Sequence, residues 1–472
     1  MGRTRSRSAS RLERFVHVTL LACFTTGLLS LLFTGEVSAQ SPTPTIPRFD
    51  GRTHLGVAAC AGPCHARQPA LGITEGEAMR GSEVNVWQDR DSIRGRHSQA
   101  FRSLLSARGR EMGARLGLGD ASKAPECLSC HSDAAPLRGE RFQMSDGVSC
   151  EACHGGAQTW ISSHYAPRAT HASNVSLGLY PTDDPVSRVR LCATCHIGTS
   201  RKDQFASHAM MAAGHPRLVL ETELFTSLQA HHFEDSDYLS RKPSASRAKV
   251  WAIGQAVSMQ ISVDMYLASE EKRAGAFPEP AFFDCRSCHR PISEPPPVGA
   301  LLPLNPFRAS LPGDIPFNDA YALTLVAAAR SFAPGEAKAV EQAARTFHQA
   351  LNEPPESRRR AGLALSARLA ALADAFEQAE FSDRAILKAL DGVLADEHGL
   401  NLTSYAGAEQ TVMAVDTLTR ALSDSGGLPA EKSSSLRRTL AAAYEQLEDP
   451  NAFRQSVFIR HMSEIAVSLD LR

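Results

Sequence analysis

Ten of the eleven cysteines fall into five pairs, and a histidine directly follows each pair. The pairs are Cys60/Cys64, Cys127/Cys130, Cys150/Cys153, Cys192/Cys195 and Cys285/Cys288, followed by His65, His131, His154, His196 and His289. Four read CxxCH; the first, Cys60-Ala61-Gly62-Pro63-Cys64-His65, carries one residue more. Two thiols one short turn apart can each add to one of the two vinyl groups on a porphyrin edge, and the adjoining imidazole then lies beneath the ring against the iron. Disulfides and zinc sites also use paired cysteines. Neither needs a histidine after every pair, and with His at 17 of 472 positions coincidence does not supply five. The expectation is five covalently bound c-type haems, each holding an iron, with a bulged loop keeping the same thiol-to-vinyl reach at Cys60/Cys64.

Porphyrins change what such a chain needs for a core. Hydrophobic residues at 43% and charged residues at 21% are ordinary for a globular protein, but aromatics are only 6%. Residues 51–290 read as loop-rich with short helices, and five stacked porphyrins would serve as their interior. Residues 244–270, around Trp251 and Met259, read as one longer helix against that stack. Residues 291–316, dense in proline, read as a linker. From 317 to 472 an Ala/Leu/Glu/Arg texture with 3.6-residue period predicts helices over 319–331, 336–351, 358–377, 383–396, 406–422, 431–447 and 451–469. Asn318 and Ser382 are the expected N-caps, and Gly426-Gly427 a break. The fold class is therefore mostly α: a pentahaem-packed N-terminal domain followed by an all-helical C-terminal domain. The latter has no cysteine and three histidines, His348, His398 and His461. It is expected to supply no iron ligand, and serves either as structure or for self-association or docking to another subunit.

The N-terminus reads as an export signal. Arg3, Arg5, Arg7, Arg11 and Arg14 precede an apolar run from Phe15 to about Phe33, and Val37-Ser38-Ala39 supplies small residues for cleavage after Ala39. An uncleaved membrane anchor is the competing reading, and Leu21-Ala22-Cys23 only faintly resembles a lipoprotein box. Residues 40–50, with Ser41-Pro42-Thr43-Pro44-Thr45, read as a flexible tether. Removing residues 1–39 takes five Arg and two Glu from 50 basic and 51 acidic side chains, leaving 45 and 49, net −4. No basic stripe calls for a nucleic-acid partner.

A haem held by one proximal His has an open face, which a second side chain can close. Residues 40 to about 300 hold eight further histidines: His54, His97, His164, His171, His208, His215, His231 and His232. Their enrichment among the haem motifs marks several as distal ligands. His97 opens a helical stretch after Trp87, and His164 follows Trp160 by four residues. His208 and His215 lie two helical turns apart, with Gly214 and Pro216 between or beyond them signalling a break. Adjacent side chains diverge, so one of His231 and His232 is expected to ligate.

At these residues the chain resembles the tetrahaem cytochrome c-554 family and its larger multihaem relatives. The resemblance lies in Gly56-Val57, Trp87 to His97, Cys127-Leu128-Ser129-Cys130-His131, and Gly147-Val148-Ser149-Cys150-Glu151-Ala152-Cys153-His154-Gly155 with Trp160 and His164. It continues through Ala213-Gly214-His215-Pro216-Arg217-Leu218, Trp251-Ala252-Ile253-Gly254-Gln255 and Phe283-Asp284-Cys285-Arg286-Ser287-Cys288-His289, covering roughly residues 50–295. It implies distal ligands at His97, His164, His208, His215 and His232, while His54 stands where the family has an aromatic. Ala230-His231-His232 departs from the proline that relatives often place before the last distal His. The family also includes five-coordinate haems.

The expected function is electron transfer between redox proteins acting as donor and acceptor, in the periplasm or at the cell surface. One alternative is an oxidoreductase with one open-face haem acting on a small nitrogen or sulfur compound, although no motif carries an unusual proximal ligand. Another is a structural conduit within an outer-membrane or polymeric cytochrome assembly.

Overall fold

The computed structural model describes residues 44–62, 64–66, 81–201, 203–234, 239–240, 245–272, 278–289, 315–395 and 405–471. Thr45–Arg472 forms one compact unit. The segment read as an export signal lies outside the described residues, as does all but the last two residues of 291–316. Among the described residues no helix is long and apolar enough to cross a membrane.

Short helices carry the first half: α1 (Val57–Cys60), α2 (Glu83–Gln88), α3 (Ala100–Leu104), α4 (Ala107–Arg115), α5 (Pro125–His131), α6 (Cys150–His154), α7 (His171–Ser176), α8 (Pro185–His196), α9 (His208–Ala212) and α10 (Thr222–Leu228). The 25-residue α11 (Arg247–Glu271) follows. The second half comprises α12 (Ala320–Phe332), α13 (Pro334–Ala350), α14 (Pro355–Gln378), α15 (Asp383–Leu394), α16 (Tyr405–Asp424), α17 (Ala430–Glu445) and α18 (Gln455–Ser468). The fold is mostly helical, as the residue patterns imply. Proline opens α5, α8, α13 and α14 at the first turn, where its missing N–H costs nothing. Helix starts shift by up to four residues from expectation: α13 and α14 begin earlier, at Pro334 and Pro355 rather than 336 and 358. Asp319 occupies the N-cap of α12, with Asn318 one residue outside, and α18 begins at Gln455 rather than 451 because Arg454 is still extended.

One apolar core runs from Val189 on α8 through α11 to Leu469. Trp251, Ile253, Met259 and Val263 of α11 are buried, so this helix has almost no solvent face. That burial is why its apolar residues show little helical one-sidedness. Gly362 of α14 lets the two helices close: a Cβ there would meet Leu267 side-chain atoms at 2.8 and 2.9 Å. Phe283 and Phe317 form an isolated antiparallel bridge, flanked by Asp284 N–H donating to Pro316 O at 3.0 Å and Asn318 N–H to Phe282 O at 2.9 Å. Tyr266 of α11 packs edge-on against Phe282, Phe283, Phe317 and Phe347. The last Cys-pair motif is thereby tied to the start of the C-terminal helices.

At the head of α10, the fully buried Glu221 accepts hydrogen bonds from Glu223 N at 3.1 Å, Leu224 N at 2.6 Å and Thr417 Oγ1 of α16 at 3.1 Å. Burial pushes its carboxyl up to about 8 despite these donors. A folded state that keeps this proton loses stability as pH rises from the ordinary 4.5 through 8, where only the unfolded chain ionises freely. Over that window the loss is on the order of 5 kcal/mol, at about 1.4 kcal/mol per unit. Thermal melts of Glu221→Gln should lack this component of the alkaline decline; an unchanged pH profile would show that Glu221 ionises normally.

Candidate metal centres

Three motifs close helices, the first begins at the last residue of one, and the last sits on a 3-10 turn. Cys60 ends α1, Cys127 to His131 and Cys150 to His154 close α5 and α6, and Cys192 to His196 close α8. Cys285–Ser287 is a 3-10 turn. In the three motifs that close helices, residues three apart share a helix face, so both thiols point one way and the histidine stands just beyond them. Motifs distant in sequence meet: the Cys60 thiol interacts with Cys150, and Cys130 with Cys195.

Each motif histidine faces a second histidine. Ring centroids lie 6.2 Å apart for His65 and His164, for His97 and His196, and for His131 and His215. They lie 6.0 Å apart for His208 and His289, and 5.7 Å for His154 and His232. Gly214, at φ +117°, ends the turn after α9 and sends His208 and His215 to different partners. The expected divergence of His231 and His232 does not occur. Their rings lie 4.2 Å apart, His231 stands 6.4 Å from His154, and ligand atoms of all three lie within 4.8 Å. His171 instead pairs with Asp183 at 2.9 Å on the surface. His348 is buried beside Asp319, and His461 pairs with Glu464 at 3.4 Å, while His398 lies outside the described residues.

The second ring nitrogen of several histidines is already engaged. Nδ1 meets Glu83 Oε2 at 3.1 Å in His65, Ala100 O at 3.0 Å in His131, Ile161 O at 2.5 Å in His164 and Pro216 O at 2.7 Å in His215. Nδ1–H donation to such acceptors fixes the ring and leaves Nε2 with its lone pair for a metal. Burial pushes His97 down to about 4, helped by the nearby His196 and His231, and burial likewise lowers His196. Both are therefore neutral near pH 7, as a metal ligand must be.

A buried polar frame, not read from the sequence, holds these turns. His54 is fully buried, its Nδ1 on Asp133 Oδ2 at 2.8 Å, and Ser149 Oγ donates to the same oxygen at 2.6 Å. Glu151, between the third cysteine pair, accepts from Leu55 N at 2.8 Å, Gly56 N at 2.7 Å and Ala157 N at 2.7 Å. Residues 47–50 join this frame, with Arg48 reaching Ser129 O at 3.2 Å and Asp50 accepting from Gly156 N at 3.0 Å. The signal available in sequence was Glu151, the carboxylate placed inside a haem motif. Gly147, at φ +76°, packs where a Cβ would meet His97 O at 2.6 Å and Ser98 O at 2.8 Å. Gly147→Ala should cost about 2 kcal/mol or more from left-handed backbone and contact strain. It should disturb the His97 centre first; a melting temperature and spectrum like the parent's would refute that.

These residues fit a haem. Two metal–nitrogen bonds of about 2 Å plus two ring radii span about 6 Å, the separation of all five pairs. A cavity of about 720 Å³ is lined by Cys127, Cys130, Cys153, Cys192 and Cys195 together with His97, His131, His196 and His215. Trp160 Nε1 and Arg190 Nε are buried donors with no partner among the described residues, suited to an acidic substituent. Residues 60–155, which hold the first three motifs, match the family model for cytochrome c554 and c-prime. No curated protein and no solved structure matches the chain.

Proposed function

We propose that this chain, whose residues 60–155 match the cytochrome c554 and c-prime family model, binds five haems and passes electrons between redox proteins outside the cytoplasm. Covalently bound c-type haem supplies the one-electron chemistry through its iron. Cys60/Cys64, Cys127/Cys130, Cys150/Cys153, Cys192/Cys195 and Cys285/Cys288 form the thioethers. His65, His131, His154, His196 and His289 are the proximal ligands, opposed by His164, His215, His232, His97 and His208 in that order. The observation that carries this reading is the pairing of all five motif histidines with a second imidazole at about one metal's width. Closed faces exclude small ligands and keep coordination alike in both oxidation states, which suits a carrier rather than a catalyst.

Denatured, purified protein should show five porphyrin masses by mass spectrometry and no free thiol among the ten paired cysteines. Four masses, with Cys60 and Cys64 free, would remove the first centre. An electron paramagnetic resonance spectrum with a high-spin haem in the protein as isolated would overturn the carrier reading in favour of an open-face catalyst.

A further inference from the structure

We propose that Glu83 is a positioning residue that sets the redox potential of the His65 centre below that of the His131 centre. The inference rests on the reading above that both imidazoles bind iron. His65 Nδ1 meets Glu83 Oε2 at 3.1 Å, and this side chain is only 15% exposed. The carboxylate is fixed from two sides. Its other oxygen accepts from Gly81 N at 3.2 Å, and the next residue, Val84, donates its N–H to His65 O at 2.9 Å. At His131 the same ring nitrogen meets neutral groups, Ala100 O at 3.0 Å and Ser103 Oγ at 2.9 Å. The opposing histidines do not offset this difference, since His164 and His215 both use backbone carbonyls, Ile161 O and Pro216 O. Of the Nδ1 acceptors at the two centres, only Glu83 is a carboxylate, and the others are neutral oxygens.

A carboxylate drawing on the Nδ1 proton makes Nε2 a more basic donor. Hydrogen bonds to an ionised acceptor are also roughly twice as strong as neutral ones. A more basic donor favours the more highly charged, oxidised metal, which lowers the potential; hydrogen bonding around the axial ligand is one of the few means a protein has to set it.

Glu83→Gln keeps the shape and an accepting oxygen but removes the charge. Spectroelectrochemical titration of the full, haem-loaded protein should show one midpoint moving upward, with haem count and low-spin signals unchanged. Midpoints that stay in place, or one that moves downward, would overturn the proposal. Should the variant fail to load its first haem, the unaltered protein decides by low-temperature near-infrared magnetic circular dichroism. One charge-transfer band displaced toward histidinate ligation supports the role of Glu83, and a single uniform band overturns it. A haem mass missing from the unaltered protein would instead count against the reading of Cys60/Cys64.

Discussion

Replacing His215 by alanine should turn one low-spin centre into a high-spin one that binds carbon monoxide when reduced, leaving the other four as they were. His215 faces His131 at 6.2 Å and is aimed by the Gly214 turn and the Pro216 carbonyl. Among the described residues no other histidine ring lies against His131, so loss of the imidazole leaves that face open. His171→Ala is the control, because His171 is engaged with Asp183. His231→Ala should also leave the spectrum low-spin, since His232 stays nearer His154. His232→Ala is informative in a different way: His231 is close enough to take the vacated position, so the double variant should be needed to open that centre. A His215→Ala protein that remains wholly low-spin would show that His215 is not the ligand opposite His131.

Removing residues 317–472 should abolish folding of the haem-bearing half, the largest effect expected of any change considered. The sequence places no motif cysteine there, and from that angle the segment looks dispensable to the haems. The packing says otherwise. Phe317 completes the bridge to Phe283 beside the last motif, and Gln255 of α11 is hydrogen-bonded to Gln410 at 3.2 Å and to Thr324 at 2.9 Å. Lys249 donates to Glu377 O at 2.5 Å, and α14 closes on α11 at Gly362. Exposing even a few of the large α11 side chains costs about 1.5–3 kcal/mol each, against a total stability of about 5–15 kcal/mol for a typical domain. A soluble truncated protein retaining five low-spin haems would show that the two halves fold independently.

The legibility of the sequence followed the kind of residue. Covalent chemistry was plain, because a Cys pair with His after it has few other uses. Helices of the second half could be read to within a few residues, since their apolar period is a local signal, although the opening Pro334 and Pro355 lie ahead of the starts read at 336 and 358. The distal set was reached through enrichment and resemblance rather than local rules, and the side-by-side reach of His231 and His232 was hidden because it depends on the chain's course after α10. Glu83 and Asp133 gave no signal as partners, since each bonds a group brought to it by the fold. His54, not expected to ligate because it stands where the family has an aromatic, is buried as a hydrogen-bonding post.

The facing histidines are also a statement about how the chain must be assembled. His65 and His164, His97 and His196, His131 and His215, His154 and His232, and His208 and His289 each join positions roughly 80–100 residues apart, a separation at which a cross-link removes about 4–5 kcal/mol of chain entropy from the unfolded state. Their spans overlap, the first pair being complete at residue 164 and the last only at residue 289. On the proposed ligation, haem attachment at a motif needs only local residues, whereas its opposing ligand lies far along the chain. Until that ligand is in place, any nearby imidazole competes for the same iron, so wrong pairings are the kinetic traps such a topology creates.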